Sequence, residues 1–223
     1  MKQEFNPSRR RVLAGSLSAL GLMAVAPVRR SHAAELMRTP RQSRGPFYPT
    51  SIPLDSDNDL VTIKGRSGFA SGEITNVVGR VLNERGRPIA GAHIEIWQCD
   101  ANGRYHHPWD RRNVPLDPNF QGYGRFTTGD DGAYRFRTIK PVPYPGRAPH
   151  IHFAISGPGT EPLVTQMYVA GAPENEHDWI LNNIRDARAR ERLIVKMEQH
   201  ADVPGELVGS FDIVLAADGR FES

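Results

Sequence analysis

The sequence is poor in cysteine, because Cys99 is the only one among 223 residues. A disulfide within the chain and a thiolate metal cluster are therefore both excluded, and any metal must be bound by oxygen and nitrogen donors. Internal repeats and low-complexity tracts are also missing. With 39% hydrophobic and 24% charged residues, the composition is typical of one globular domain.

An excess of basic charge is missing from most of the chain, although the formal net charge is +3. Six of the 28 basic residues and only one of the 25 acidic residues precede residue 34. The rest of the chain therefore carries 22 basic and 24 acidic residues, a net charge of −2. Nucleic-acid binding needs a basic face on the folded part, so the sequence predicts no nucleic-acid partner.

The basic N-terminus has the pattern of an export signal. Arg9, Arg10 and Arg11 precede an apolar run over residues 12–28, and Ser31-His32-Ala33 then offers small residues at both positions that determine cleavage. The pattern resembles a twin-arginine (Tat) signal peptide. A transmembrane anchor is the alternative, but the run is shorter than the roughly 20 residues that span a bilayer. We predict a Tat-type signal peptide over residues 1–33, a periplasmic or extracellular location and no stable membrane insertion.

Regular periodicity is missing from residues 34–72, where four prolines interrupt the chain. We predict an irregular N-terminal arm there and a catalytic β-sandwich domain over residues 73–223. In that domain, short runs of β-branched and aromatic residues alternate with turn sequences. One helix is predicted over residues 176–190, with Asn175 as its cap. The fold class is therefore all-β, an antiparallel sandwich with one short helix, whose strands are predicted at residues 74–82, 92–98, 133–139, 150–156, 163–169, 192–197 and 206–215.

The strongest chemical feature is a pair of histidines, His150 and His152, within a predicted strand. Residues i and i+2 of a strand point to the same face, so both imidazoles can reach one point while Ile151 and Phe153 face the other way. Two such ligands on one strand make half of a metal site. The alternative is a pair of solvent-facing or hydrogen-bonded histidines.

Two tyrosines stand where they can complete such a site. Tyr144 lies in a loop stiffened by four prolines, six residues before His150, and Tyr105 follows a turn that contains Gly103. A phenol has a pKa near 10, so a tyrosinate ligand at neutral pH needs a strong Lewis acid, and two phenolates with two imidazoles favour Fe(III) over Zn(II) or Fe(II). Either tyrosine could instead be an ordinary core or loop aromatic.

Together these segments resemble the intradiol ring-cleavage dioxygenases, the family of catechol, hydroxyquinol and protocatechuate 3,4-dioxygenases. The resemblance covers roughly residues 45–215 and rests on motifs in the family order. They are Gly45-Pro46-Phe47-Tyr48-Pro49, Ile94 to Gln98 with Gly103-Arg104-Tyr105, Thr138 to Pro141 with Tyr144-Pro145, Pro149-His150-Ile151-His152-Phe153, Leu163 to Tyr168, and Phe211 to Leu215.

The resemblance implies a mononuclear non-haem Fe(III) and cleavage of a catechol-type diol by O2 to a cis,cis-muconate-type product. The implied metal ligands are Tyr105, Tyr144, His150 and His152. Two further groups are interpreted as catalytic: Arg147, a permanent cation that can stabilise developing negative charge, and Gln166, which can donate and accept hydrogen bonds. Their alternatives are a surface salt bridge and an outward polar residue. Tyr48 and Trp97 are predicted to wall the substrate pocket, or to be core residues.

Several alternatives stay open at this level. The chain could be an exported sandwich that binds a metal or ligand without catalysis, or a non-catalytic subunit, although all four ligand positions are filled. The segment between Tyr144 and His150 has only five residues, whereas protocatechuate enzymes commonly have a longer one. We interpret His106 and His107 as solvent-facing, with a role as groups that support the metal ligands as the alternative. The expected partners are a small aromatic diol and O2, and a homo- or hetero-oligomer is left open.

Overall fold

A computed structural model describes residues 35–219, and the predicted signal peptide lies outside these residues. Within residues 35–219, two five-stranded sheets form the fold. Their strands are β1 (Ile74–Asn83), β2 (His93–Trp97), β3 (Tyr123–Thr127), β4 (Ala133–Ile139), β5 (His150–Ser156), β6 (Leu163–Val169), β7 (Ile194–Val195), β8 (Glu198–Gln199), β9 (Leu207–Ser210) and β10 (Ile213–Leu215).

The first sheet is built around the long strand β1. One edge of β1 pairs with β4 in an antiparallel ladder, and β9 and β10 pair with it in parallel. The second sheet has the order β3-β2-β5-β6-β7, and its β2, β3, β5 and β6 pairings are all antiparallel. The predicted two-sheet β-sandwich is thus confirmed, with parallel pairings that alternation within single strands does not reveal.

The core lies between the two sheets. The side chains of Ile151, Phe153 and Ile155 on β5 point into it and are at most 2% exposed. Phe153 packs against Phe211, with ring centroids 5.1 Å apart, and against Tyr134 of β4 at 6.2 Å. Because side chains alternate along a strand, the histidines of β5 must lie on the outer face of the second sheet.

The N-terminal arm covers part of that outer face. Residues 35–73 contain turns and bends but no helix or strand. The arm reaches the sheet at β6 and at the edge strand β3: Gln42 N–H donates to Val164 O at 2.8 Å, and Arg125 N–H donates to Ser56 O at 3.2 Å. On β3, a Cβ at Gly124 would lie only 2.5 Å from Leu60 Cδ1, so a glycine there lets the arm pack closely.

The single helix predicted over residues 176–190 is wrong. A 3-10 helix (Pro173–Glu176) is followed by two short helices, α1 (Trp179–Asn182) and α2 (Ala187–Glu191). Two aspartates, Asp178 and Asp186, accept hydrogen bonds from the first backbone N–H groups of α1 and α2 respectively. Aspartate is a strong N-cap, so the second one begins a new helix. In the part of the chain that the structure describes, no helix is long and apolar enough to span a membrane.

Candidate metal centre

The two histidines of β5 face each other in a buried position. His150 and His152 are each 1% exposed, and their Nε2 atoms are 3.2 Å apart. His152 is paired with Trp97 on β2 and with Gln166 on β6. The period of the strand therefore brings both imidazoles to one point at the end of the sheet.

Both imidazoles are suited to bind a metal through Nε2. The Nδ1 atom of His150 lies 2.6 Å from Ala148 O, which assigns the ring proton to Nδ1 and leaves a lone pair on Nε2. Burial, followed by the positive charge of Arg147, lowers the pKa of His150 to about 3. Burial, and then the charge of His150, lowers the pKa of His152 well below its ordinary value. Neutral imidazoles are the form that coordinates a cation.

The two predicted tyrosines meet the histidines at the same point. Tyr105 Oη lies 3.4 Å from His150 Nε2. The ring of Tyr144 lies 5.8 Å from that of Tyr105 and 5.5 Å from that of His150, centroid to centroid. A tight turn holds Tyr144, because Arg147 N–H donates to Tyr144 O at 2.9 Å. The turn therefore brings a phenol and a guanidinium to the same side of the histidine pair.

The donor set fits a hard, highly charged cation. Burial raises the pKa of Tyr105 well above its ordinary value and also raises that of Tyr144, so a phenolate here requires strong positive charge nearby. Burial also raises the pKa of the Cys99 thiol to about 12, which keeps it protonated. Within residues 35–219, no three His, Cys, Asp or Glu side chains gather to hold a metal ion. A centre here needs the two phenols, and two phenolates with two imidazoles match Fe(III).

Arg147 is fixed beside the four donors by a network of polar groups. Its Nε donates to Asp178 Oδ2 at 2.9 Å, and its Nη2 donates to Gln166 Oε1 and, at 3.3 Å, to Tyr168 Oη. The Arg147 side chain is 10% exposed. Gln166 is fully buried, and its Nε2 donates to Ser43 O of the arm at 3.1 Å. The amide of Gln166 is thus occupied with holding Arg147 and the arm.

Trp97 and Tyr48, the predicted pocket walls, pack against each other edge to face, with ring centroids 5.0 Å apart. The indole of Trp97 stacks on the imidazole of His152, with centroids 4.8 Å apart and planes 5° from parallel. Trp97 also lines a cavity of about 190 Å³ together with Tyr105 and Phe47. The hydroxyl of Tyr48 donates to Glu95 Oε2 at 3.0 Å. Trp97 therefore supports a metal ligand as well as bordering a cavity.

The arm closes over this cluster of side chains. A Cβ on Gly45 would lie 3.2 Å from His152 Cε1, and the φ angle of Gly45 is +69°. The ring of Phe47 stacks on that of Tyr105 at 4.7 Å.

The interpretation of the neighbouring His106 and His107 as solvent-facing is correct for His106 and wrong for His107. His107 is 8% exposed and packs its ring edge against Phe47, because the turn directs it inward.

Two supporting groups were missed by sequence reasoning. Asp178 lies 26 residues beyond His152 and bonds Arg147, and Arg112 places its guanidinium 4.5 Å from the ring centroid of Tyr144. Neither belongs to a motif with a recognisable spacing. The cap position of Asp178 before an apolar residue was the one available signal, and it indicated only a helix start.

Comparison with known proteins places this chain in a family. A family model described as Dioxygenase matches residues 43–149 and 145–217. The chain is 42% identical over 185 residues to the protocatechuate 3,4-dioxygenase beta chain of Burkholderia cepacia, covering 78% of each. It is 28% identical over 202 residues to the catechol 1,2-dioxygenase of Candida albicans, covering 80% of this chain and 62% of that enzyme.

A solved structure agrees with these sequence matches. It is the dioxygenase domain of a dioxygenase and carbohydrate-binding protein fusion from Streptomyces sp. SirexAA-E. The TM-score is 0.62 at 30% identity, covering 81% of this chain and 99% of that domain. Family model, relatives and fold agree with one another: the chain belongs to the intradiol ring-cleavage dioxygenase family.

Proposed function

We propose that this chain cleaves a catechol-type diol with O2 between its two hydroxyl-bearing carbons, at an Fe(III) ion held by Tyr105, Tyr144, His150 and His152. The product is a cis,cis-muconate-type dicarboxylate that contains both oxygen atoms of O2. One observation carries the proposal: two phenols and two neutral imidazoles gather at one buried point beside a fixed arginine. A binding protein without catalysis has no need of that arginine.

Bound there, Fe(III) supplies the Lewis acidity that draws electron density from the diol and activates the ring toward O2. The protein residues supply a proton acceptor, a positive charge and the walls of the site. An ordinary phenol has a pKa near 10, so a phenolate at Tyr144 is a base, and we assign its Oη the uptake of a proton from the diol. Arg147 stabilises the negative charge that develops on the substrate. The aromatic rings of Phe47 and Trp97 exclude water and offer flat walls to a flat ligand.

The function is tested by turnover of catechol in the iron-loaded protein without its first 33 residues. We expect one O2 consumed per diol and a ring-opened muconate as the product. Tyr144→Phe removes one phenol and should lose most of the turnover and much of the visible colour, while Tyr134→Phe removes a core phenol away from the site and should retain both. A folded, iron-loaded protein that consumes no O2 with any simple catechol would contradict the proposal and favour the binding protein.

We also propose that residues 1–33 direct export through the Tat pathway, which gives the enzyme a periplasmic or extracellular location. The support is the arginine cluster followed by a short, weakly apolar run. Replacing Arg9, Arg10 and Arg11 with lysine should leave the protein in the cytoplasm, whereas replacing Arg29 and Arg30 should not. Unchanged export of the first variant would refute the assignment.

A further inference from the structure

We propose that Asp178 is a positioning residue that holds both Arg147 and the loop that orients His150. This inference rests on the proposed function, because it concerns how that reaction is supported. Asp178 is 1% exposed and lies immediately before α1. It touches none of the four donor side chains through any hydrogen bond found in residues 35–219, so it acts through its neighbours.

The two carboxylate oxygens of Asp178 accept hydrogen bonds from different parts of the chain. Oδ1 accepts hydrogen bonds from the backbone N–H groups of Ile180 and Leu181, both at 3.0 Å. Oδ2 accepts from Arg147 Nε at 2.9 Å and from Ala148 N–H at 2.9 Å. One oxygen therefore caps a helix, and the other holds the loop that leads into β5.

The contact between Asp178 and Ala148 leads on to a proposed metal ligand, His150. The backbone N–H of Ala148 donates to Asp178 Oδ2, and the backbone carbonyl oxygen of the same residue lies 2.6 Å from His150 Nδ1. That carbonyl fixes the ring proton of His150 on Nδ1 and so leaves Nε2 free to coordinate. An outer hydrogen bond of this kind sets the tautomer and the direction of a histidine ligand. Asp178 thus supports the ligand through the backbone of one residue, Ala148.

The contact between Asp178 and Arg147 fixes the direction of the Arg147 guanidinium. With Nε bound to Asp178, Nη2 is turned toward Gln166 and Tyr168. A buried arginine whose carboxylate partner is removed loses a charge-assisted hydrogen bond and its fixed orientation. Because preorganised charge is what stabilises a transition state, we expect the loss of this partner to reduce the turnover rate more than substrate binding.

A matched control separates this role from helix capping. Asp186 caps α2 in the same way, with its Oδ1 accepting from Arg188 N–H and Ala189 N–H, but it is exposed, and within residues 35–219 its side chain has no hydrogen bond to the loop. Asparagine is also a good N-cap. Asp178→Asn can keep the cap through its carbonyl oxygen, while its amide NH2 cannot accept from Arg147 or Ala148. Asp186→Asn makes the same chemical change without those partners.

The experiment is a double-mutant cycle with Arg147→Ala in the iron-loaded enzyme. We expect Asp178→Asn to lower kcat about tenfold or more with KM changed less than about threefold, and Asp186→Asn to change neither. In the Arg147→Ala background, Asp178→Asn should lower kcat by a clearly smaller factor than in the wild type, because the route through Arg147 is gone and only the contact through Ala148 to His150 remains. Equal losses of kcat in both backgrounds, or equal effects of the two Asp→Asn changes, would overturn the proposal.

A second measurement does not depend on turnover. In the metal-free protein, modification of Arg147 by phenylglyoxal is followed by mass spectrometry. We expect Asp178→Asn to speed modification at Arg147 and Asp186→Asn to leave it unchanged, with both proteins folded by circular dichroism. If modification is accelerated but the wild-type enzyme turns over no diol, the proposed function fails while the contact stands. If modification is unchanged, the positioning role itself is refuted.

Discussion

Lowering the pH should destabilise the metal-free protein through the buried histidines. In the unfolded chain His150 takes up a proton near its ordinary pKa of 6.5, whereas in the folded chain its pKa is about 3. The unfolded state therefore binds more protons between these values, so stability is full above about pH 6.5 and is lost as the pH falls toward 3. Between pH 7 and pH 5, His150 alone should cost about 2 kcal/mol of unfolding free energy.

The assay is urea denaturation of the metal-free protein at pH 7 and pH 5, compared with the variant His150→Gln. The variant cannot take up the proton, so its loss of stability over this range should be smaller by about 2 kcal/mol than that of the wild type. His93→Gln on the neighbouring strand β2 changes an exposed histidine and should keep the wild-type pH dependence. If His150→Gln also keeps it, the buried neutral imidazole on which the centre depends is refuted.

Three substitutions test the supports of the ligands. Gly45→Ala should lower iron affinity more than Gly65→Ala, since both glycines have positive φ but only a Cβ at Gly45 meets His152; equal iron affinity by chelator competition would contradict this contact. Trp97→Ala should cost about 3–5 kcal/mol of stability in urea denaturation, and Trp97→Phe, which keeps a ring on His152, should cost clearly less. Arg147→Ala should retain bound iron but slow turnover about 100-fold. Unchanged steady-state kinetics would show that Arg147 has only a structural role, in its ion pair with Asp178.

The sequence predicted those parts of the site that depend on strand periodicity. The bounds of β4, β5 and β6 match the predicted ranges, because alternation and flanking turns mark them clearly. The same alternation places His150 and His152 on one face. Strand β3 (Tyr123–Thr127) was missed, because Gly124 and Arg125 interrupt its apolar pattern. Its pairing with β2 supplies the hydrogen bonds that its composition does not indicate.

Contacts between distant segments could not be predicted from the sequence. Asp178 bonds Arg147 across 31 positions, and Gly45 of the arm lies against His152. Such contacts depend on how loops pack over the outer face of the sheet, and no local period encodes that packing. The helix was mispredicted for a related reason: a second N-cap at Asp186 restarts the helix within a continuous apolar pattern.

The most direct test of the central claim is the visible absorption and electron paramagnetic resonance spectrum of the protein loaded with Fe(III), recorded under argon before and after addition of catechol. The account predicts a coloured protein with a tyrosinate-to-iron absorption band and a high-spin ferric signal, both of which change when catechol binds. A folded protein that stays colourless after iron is added, or whose spectrum does not change on addition of catechol, would contradict the assignment of Tyr105, Tyr144, His150 and His152 as the metal ligands.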